Sequence, residues 1–316
     1  MPNLLTVAAA HLAPVYMDPG KTAAKATEWI SRAGAAGVKL MVFPEVFLPG
    51  FPYWINLYAP LVQTALNRRY QDVSVAVDGP EIAVIREAAK AAGVAVVMGI
   101  SERPAGRRTC YNTALFIDTD GSLLGAHRKL KPTYAERYIW GEGDGSTLSV
   151  FASSVGRIGG LACWEHTMNL ARQALIEDGE QIHAALWPSL STMAGFDAVA
   201  NRQIEAMMLN HALTGQTFVI SASSPVTEEM LEFMARELGP QEMMGTGGGW
   251  SAVIHPFTPI LAGPVSGLEE QLVIAEIDLD AIADVKLWVD STGHYSRPDV
   301  LRLRLDRSAR SGLDEA

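Results

Sequence analysis

The sequence predicts an α/β fold, and three observations carry that expectation. Short apolar runs of strand length alternate with longer helical patterns in the order β-α-β-α. Glycine closes the first helical pattern and proline stops the strand after it, so the punctuation agrees with the periodicity. One stretch in the middle reads as a hairpin, so part of the sheet structure is antiparallel. Taken in order, Leu4 to Ala10 reads as a buried strand and Lys21 to Ala36 as a helix closed by Gly37. Val38 to Phe43 is the next strand, stopped by Pro44, followed by a helix over Glu81 to Ala92 and a strand over Val94 to Ile100. Asn112 to Asp118 and Ser122 to Arg128 flank the turn residues Thr119-Asp120-Gly121. Ile158 to Ala162, Ala184 to Trp187 and Thr217 to Ala222 are further strands, with helices over His166 to Ile176 and Asp197 to Leu213 between them. A last hairpin pairs Trp250 to His255 with Pro259 to Ala262.

The 316 residues allow one large domain or two ordinary ones. No internal repeat, low-complexity block or Pro/Ser-rich linker divides them, so one domain is the simpler reading. The net charge of −10, with no stripe of Lys and Arg, argues against a nucleic-acid surface. No apolar stretch is long enough to span a membrane, and Met1-Pro2-Asn3-Leu4 begins no signal-like segment. Cytoplasmic residence is therefore expected, where thiols stay reduced. Two cysteines build no disulfide framework, and no Cys/His spacing suggests a zinc site. Val226 to Met244 holds five glutamates and four methionines and runs into Gly245-Thr246-Gly247-Gly248-Gly249. It reads either as an inserted helix and loop forming a lid or contact surface, or as a solvated helix with a glycine turn. The polar end, Ser308 to Ala316, is expected to fray.

Cys163 is the first candidate for chemistry. It follows an apolar run, where a helix-like pattern begins. A thiol there would meet the positive end of a helix dipole, which favours the nucleophilic thiolate. The alternative is a buried small hydrophobe. Glu45 follows the strand at Val42-Phe43 among Phe47, Phe51, Tyr53 and Trp54. Apolar surroundings raise a carboxylic acid's pKa toward the range that suits a general base. Strand alternation sends Arg128 and Lys129 to opposite sides, so one can enter a cavity while the other is solvated. Glu136 is a second carboxylate within reach of Lys129. Thiol, carboxylate and lysine together suffice for covalent hydrolysis. A Cys163–His166 pair is the rival arrangement. A serine hydrolase is disfavoured because no Gly-x-Ser-x-Gly elbow occurs.

These residues resemble the nitrilase branch of the carbon-nitrogen hydrolase superfamily. The resemblance rests on Phe43-Pro44-Glu45 with Pro49-Gly50-Phe51-Pro52-Tyr53-Trp54, and on Arg128-Lys129-Leu130-Lys131-Pro132-Thr133. It continues through Glu136-Arg137, Trp140-Gly141-Glu142-Gly143-Asp144-Gly145, Cys163-Trp164-Glu165 and Gly293-His294-Tyr295-Ser296-Arg297-Pro298. It implies a four-layer α-β-β-α sandwich over residues 1–300, with 301–316 as a tail. Subunits of such enzymes pair and extend into larger oligomers or spirals. It implies Cys163 as nucleophile, Glu45 as general base, Lys129 as positive stabiliser and Glu136 as supporting carboxylate, acting on a nitrile without a cofactor. The Trp164 N–H is expected to help stabilise the intermediate. Tyr53, Trp54, Tyr134, Trp164 and Trp187 are the expected pocket aromatics, while Asp144 and His294 are expected to hold loops. The rival readings are an amidase or carbamoylase of the same superfamily and a catalytically silent assembly scaffold.

Overall fold

The first strand shows how the layers arise. The computed structural model describes residues 3–310. In it β1 (Leu4–His11) is apolar on both faces: Val7 and Ala9 join one buried cluster, Ala8 and Ala10 another. A strand covered on both sides needs this unbroken apolar run rather than alternation with polar residues. In α1 (Pro19–Ala35) the Asp18 carboxylate accepts the Lys21 N–H at 2.9 Å and proline takes the first turn. Its buried stripe is Ala23, Ala26, Ile30 and Ala33, at helical spacing. Burial of a side chain as large as Ile30 contributes roughly 1.5–3 kcal/mol.

The chain continues through β2 (Leu40–Val42), α2 (Thr64–Val73), α3 (Pro80–Ala92), β3 (Ala95–Glu102), β4 (Tyr111–Ile117) and β5 (Leu123–Arg128). After these come β6 (Phe151–Ser153), β7 (Gly156–Ala162), α4 (Asn169–Glu177), β8 (Ile182–Trp187), α5 (Ala200–Gly215) and β9 (Phe218–Ser223). The last elements are α6 (Glu228–Leu238), β10 (Ser251–Ile254), β11 (Ile260–Val265), β12 (Gln271–Asp278) and α7 (Ala281–Trp288).

Two six-stranded sheets result, ordered β12-β1-β2-β3-β4-β5 and β11-β10-β9-β8-β7-β6. Each has three parallel strands, β1-β2-β3 and β7-β8-β9, flanked by antiparallel ones. The sheets pack face to face: Val7, Val42 and Phe116 of one share a cluster with Ile158, Leu186 and Ile220 of the other. Ile30, Ile82 and Ile85 of α1 and α3 cover the first sheet's outer face. Ile204, Met208 and Ala212 of α5 cover the second's. The architecture is the expected α-β-β-α sandwich.

Several local expectations are corrected. The helix expected over His166 to Ile176 is broken: Cys163–Thr167 is a 3-10 turn, and α4 starts only at Asn169. Val226 to Met244 does contain a helix, α6, and it is only half solvated: Met230, Phe233 and Met234 join the buried cluster of Trp54, while its glutamates stay exposed. Ser308 to Arg310 do not hang free, because the Arg310 N–H donates to Asp144 Oδ2 at 2.8 Å. Upstream, Leu303 and Leu305 pack beside Leu148 and Leu161. Residues 311–316 of that expectation lie outside the described ones. No helix among the described residues is long and apolar enough to cross a membrane.

Candidate functional site

Three charged or nucleophilic side chains lie just beyond strand ends. Glu45 follows β2, Lys129 follows β5 and Cys163 follows β7. Carboxyl ends of parallel strands are where α/β folds gather ligands and chemistry. Glycine makes one of these placements possible: a Cβ on Gly99 of β3 would lie 2.2 Å from the Pro44 carbonyl oxygen, so a side chain there would displace the Glu45 backbone. As strand alternation predicts, Arg128 and Lys129 diverge. Arg128 Nε donates to Glu102 Oε2 at 2.8 Å, while Lys129 turns inward and is 1 % exposed.

Lys129 Nζ donates to Glu45 Oε1 at 2.9 Å and to Glu136 Oε1 and Oε2 at 3.0 and 2.8 Å. Glu136 belongs to the 3-10 turn Tyr134–Tyr138, and its Oε2 also accepts the Thr133 N–H at 2.9 Å. Asn112 Nδ2 donates to Glu45 Oε1 at 2.6 Å. Glu45 Oε2 is buried with no hydrogen-bond partner among the described residues. The Cys163 sulfur and one carboxylate oxygen from each of Glu45 and Glu136 all lie within 4.8 Å of one another. The arrangement thus offers a thiol, an oxygen free to take its proton, and a fixed cation.

Cys163 has φ +54°, a left-handed conformation that strains any residue bearing a Cβ. The chain turns sharply there, from β7 into the 3-10 turn. Glu165 staples this elbow to the first sheet. Its carboxylate accepts the N–H groups of Leu130 at 2.8 Å and Ala162 at 3.1 Å, and meets His127 Nε2 at 3.0 Å. Burial disfavours the Glu165 anion, but His127 and those N–H donors outweigh it and hold the carboxyl below its usual range. His166 Nδ1 lies 2.6 Å from the Cys163 carbonyl oxygen, a bond to backbone, so the rival Cys–His pair is not formed.

The electrostatics correct one expectation. A single 3-10 turn supplies little dipole, and the thiol is pushed well up rather than down, first by burial and then by the Glu45 charge, with Lys129 only partly opposing. The resting group is therefore a thiol. Burial likewise lifts Glu45 to about 7, against the pull of Lys129. Burial alone would favour neutral Lys129, but Glu136 and Glu45 overcome it and hold the ammonium.

Cys163 and Glu136 open onto a cavity of about 460 Å³ walled largely by Phe51, Leu57, Trp164, Leu190, Met193, Phe196 and Met243. Of the five expected pocket aromatics, Tyr134 and Trp164 line it. Tyr53, Trp54 and Trp187 are not among the described residues that line it. The Tyr53 oxygen accepts the Ser189 N–H at 2.9 Å, and Trp54 Nε1 donates to Asn67 at 2.7 Å. Trp187 stacks on His166 with ring centres 5.0 Å apart. Asp144 accepts Ser146 N–H at 3.0 Å, and exposed His294 meets the Trp288 carbonyl at 3.4 Å. Sequence reading missed Asn112, Glu165 and the apolar wall of Phe196 and Met243. Only a polar residue inside an apolar strand pointed toward Asn112.

The fold and this buried Glu–Lys–Cys cluster define a hydrolase of carbon–nitrogen bonds, and residues 6–287 match the carbon-nitrogen hydrolase family profile. The chain belongs to that family and, by its near full-length relatives, to the nitrilases within it. It is 41% identical over 312 residues to an aliphatic nitrilase of Rhodococcus rhodochrous, covering 96% of this chain and 83% of that one. It is 36% identical to a bromoxynil-specific nitrilase of Klebsiella pneumoniae subsp. ozaenae, covering 100% and 89%. The carbon-nitrogen hydrolase structure from Helicobacter pylori G27 superposes with a TM-score of 0.73 at 19% identity, over 94% and 96% of the chains, a likeness of fold.

Proposed function

We propose that the protein hydrolyses an organic nitrile to the carboxylic acid and ammonia, with Cys163 as nucleophile. The observation that carries this is one buried cluster: a thiol within 4.8 Å of a carboxylate oxygen of Glu45, whose Oε2 is unpartnered among the described residues, with a charged Lys129 bonded to that carboxylate, opening onto a largely apolar cavity. Glu45 takes the thiol proton as sulfur attacks the nitrile carbon, and the proton passes to the nitrile nitrogen, giving a thioimidate. Lys129 stabilises the negative charge that develops on that nitrogen, with the Trp164 N–H assisting. One water adds and ammonia leaves, giving a thioester; a second water, activated by Glu45, releases the acid. Glu136 holds Lys129 in place and keeps it charged.

Among the described residues, Glu136 is the one charged group in the cavity wall. A neutral substituent of aliphatic or aryl type suits it. Ammonia release from an aliphatic dinitrile, phenylacetonitrile, mandelonitrile, benzonitrile, cyanide and the matching amides tests the reading. Turnover of at least one nitrile is expected; turnover of amides alone would move the protein to the amidases.

A working Glu45 carboxylate must be ionised, so kcat/KM rises with pH through an acid limb centred near the Glu45 value of about 7. The Asn112 hydrogen bond favours the Glu45 anion. Asn112→Ala should therefore move that limb to higher pH, by up to about one unit. A limb that stays in place, or moves down, would reject Glu45 as the base. Cys110→Ser is expected to keep most activity, because Cys110 is buried just before β4, paired with Trp140 outside the catalytic cluster. An inactive but folded C110S enzyme would contradict this.

The same reading takes residues 1–300 as the catalytic domain and 301–316 as a tail, in a cytoplasmic homodimer that builds larger oligomers. Exposed Leu287, Trp288, Val300 and Leu301 support a partner-covered face. Light scattering of the eluting protein checks it, and a monomer would refute it.

A further inference from the structure

Beneath the elbow lies a second buried cluster that the reaction does not use. His166 of the elbow, Glu180 of the turn after α4, His183 of β8 and His211 of α5 are all buried. Starting from the Cys163 carbonyl oxygen, His166 Nδ1 lies at 2.6 Å, and His166 Nε2 meets His183 Nε2 at 2.9 Å. His183 Nδ1 then meets Glu180 Oε1 at 2.7 Å, and His211 Nε2 meets Glu180 Oε2 at 2.8 Å. The fold leaves room for it: a Cβ on Gly159 of β7 would lie 2.1 Å from Glu180 Oε1.

Counting hydrogens gives this chain an odd property. The Cys163 carbonyl only accepts, and so does an ionised Glu180. Between them run three links, and each needs one hydrogen. Two neutral imidazoles carry only two. The His166–His183 pair therefore holds a third, and one ring is an imidazolium whose charge Glu180 balances. Burial opposes the Glu180 anion, but His183 and His211 outweigh it and hold its carboxyl down to about 2. Burial pushes His211 down to about 4 and His166 well below its usual value, so both favour neutrality. His211 Nδ1, buried without a partner among the described residues, is then a bare lone pair. Arg172 of α4 also acts on this cluster, and its like charge further disfavours charging of His166 and His211.

We propose that His166, His183 and Glu180 form a positioning relay for the nucleophile, in which one extra proton lets His166 donate to the Cys163 carbonyl and hold the elbow in its left-handed turn. The inference rests on Cys163 being the nucleophile. None of the three touches substrate; they act through the Cys163 backbone. When pH rises and the extra proton leaves, two hydrogens must serve three links and one link opens. Opening of the Cys163 link releases the elbow, and a misplacement of about 1 Å can cost on the order of 10²-fold in rate.

The test compares kcat, KM and their pH profiles for the unaltered enzyme and for Glu180→Gln, His166→Ala and His166→Asn. Glu180→Gln keeps the shape but removes the charge that retains the imidazolium. It and His166→Ala should lose roughly tenfold or more in kcat with KM little changed. His166→Asn supplies an amide N–H to the same carbonyl without an extra proton. It should recover most of the rate lost in His166→Ala and flatten the alkaline fall of kcat. A Glu180→Gln enzyme with unaltered kcat and pH profile, or a His166→Asn enzyme no better than His166→Ala, would overturn the relay. Should the variants fail to fold, neutron diffraction from the unaltered protein near neutral pH decides: deuterium on three of the four ring nitrogens of His166 and His183 supports the relay, and on two refutes it. That count is independent of whether Cys163→Ala is inert, so failure of the relay and failure of the nucleophile assignment are distinguishable.

Discussion

Cys163→Ala is expected to abolish ammonia release from every nitrile the protein accepts, by a factor on the order of 10⁴ or more, while the protein stays folded. The size of the loss follows from the chemistry. Without sulfur no thioimidate forms, and water would have to attack the nitrile directly; the remaining Lys129 and Glu45 can then polarise and orient but not carry the acyl group. The fold survives because the change removes one sulfur atom at the floor of a cavity. Alanine meets the same left-handed backbone as cysteine, at φ +54°, so strain hardly changes. Thermal melting and ammonia assays on the same preparation check both halves. Residual turnover within tenfold of the unaltered enzyme would reject Cys163 as nucleophile.

The parts of this site that were legible in the sequence share a feature: each stands just after a strand-like run, unbroken and apolar before Glu45 and Cys163, ending in His127-Arg128 before Lys129. Glu45, Lys129 and Cys163 come after β2, β5 and β7, and a reactive group at the end of a strand is visible without knowing what it faces. Asn112 was not legible as a partner because its meaning lies across the sheet, 67 residues from Glu45. Glu165 hides similarly, since its N–H donors and His127 come from other segments as well as its own turn. Tyr53, Trp54 and Trp187 show the opposite failure. Closeness to a motif in sequence places an aromatic near the site but does not tell the front of a wall from its back. None of the three is among the residues that line the cavity; Tyr53 and Trp54 are tied to Ser189 and Asn67 and Trp187 stacks on His166, although the Tyr53 phenol still feels the charges of Glu45 and Cys163. The α/β class followed from the apolar runs and the four layers from the resemblance, yet β12 escaped notice. Its inward residues Val273, Ala275 and Ile277 alternate with exposed Ile274 and Glu276, a weaker signal than the fully buried strands.

Lys129→Ala is expected to damage both catalysis and stability, and the two effects have separate causes. Lys129 is the one cation bonded to Glu45 and Glu136 among the described residues, at 2.9 and 2.8 Å. Its removal leaves two buried carboxylates facing each other within 4.8 Å. Like charges so close and so dry cannot both persist, so one carboxyl takes up a proton. Breaking a buried pair by deleting one partner typically costs about 3–5 kcal/mol, which lowers the melting temperature at neutral pH. Acidification protonates the carboxyls of the variant and relieves that repulsion, so the stability gap between variant and parent should narrow as pH falls below neutrality. For catalysis, the charge forming on the nitrile nitrogen loses its fixed counter-charge, a deficit of roughly 10²–10³ in kcat. Glu45 also becomes a protonated acid over more of the pH range, because Lys129 was holding it down. The acid limb of kcat/KM therefore moves upward from about 7. A Lys129→Ala enzyme that melts and turns over like its parent would show that the cation is neither the structural keystone of the cluster nor its stabilising charge, and the role would pass to the backbone N–H of Trp164.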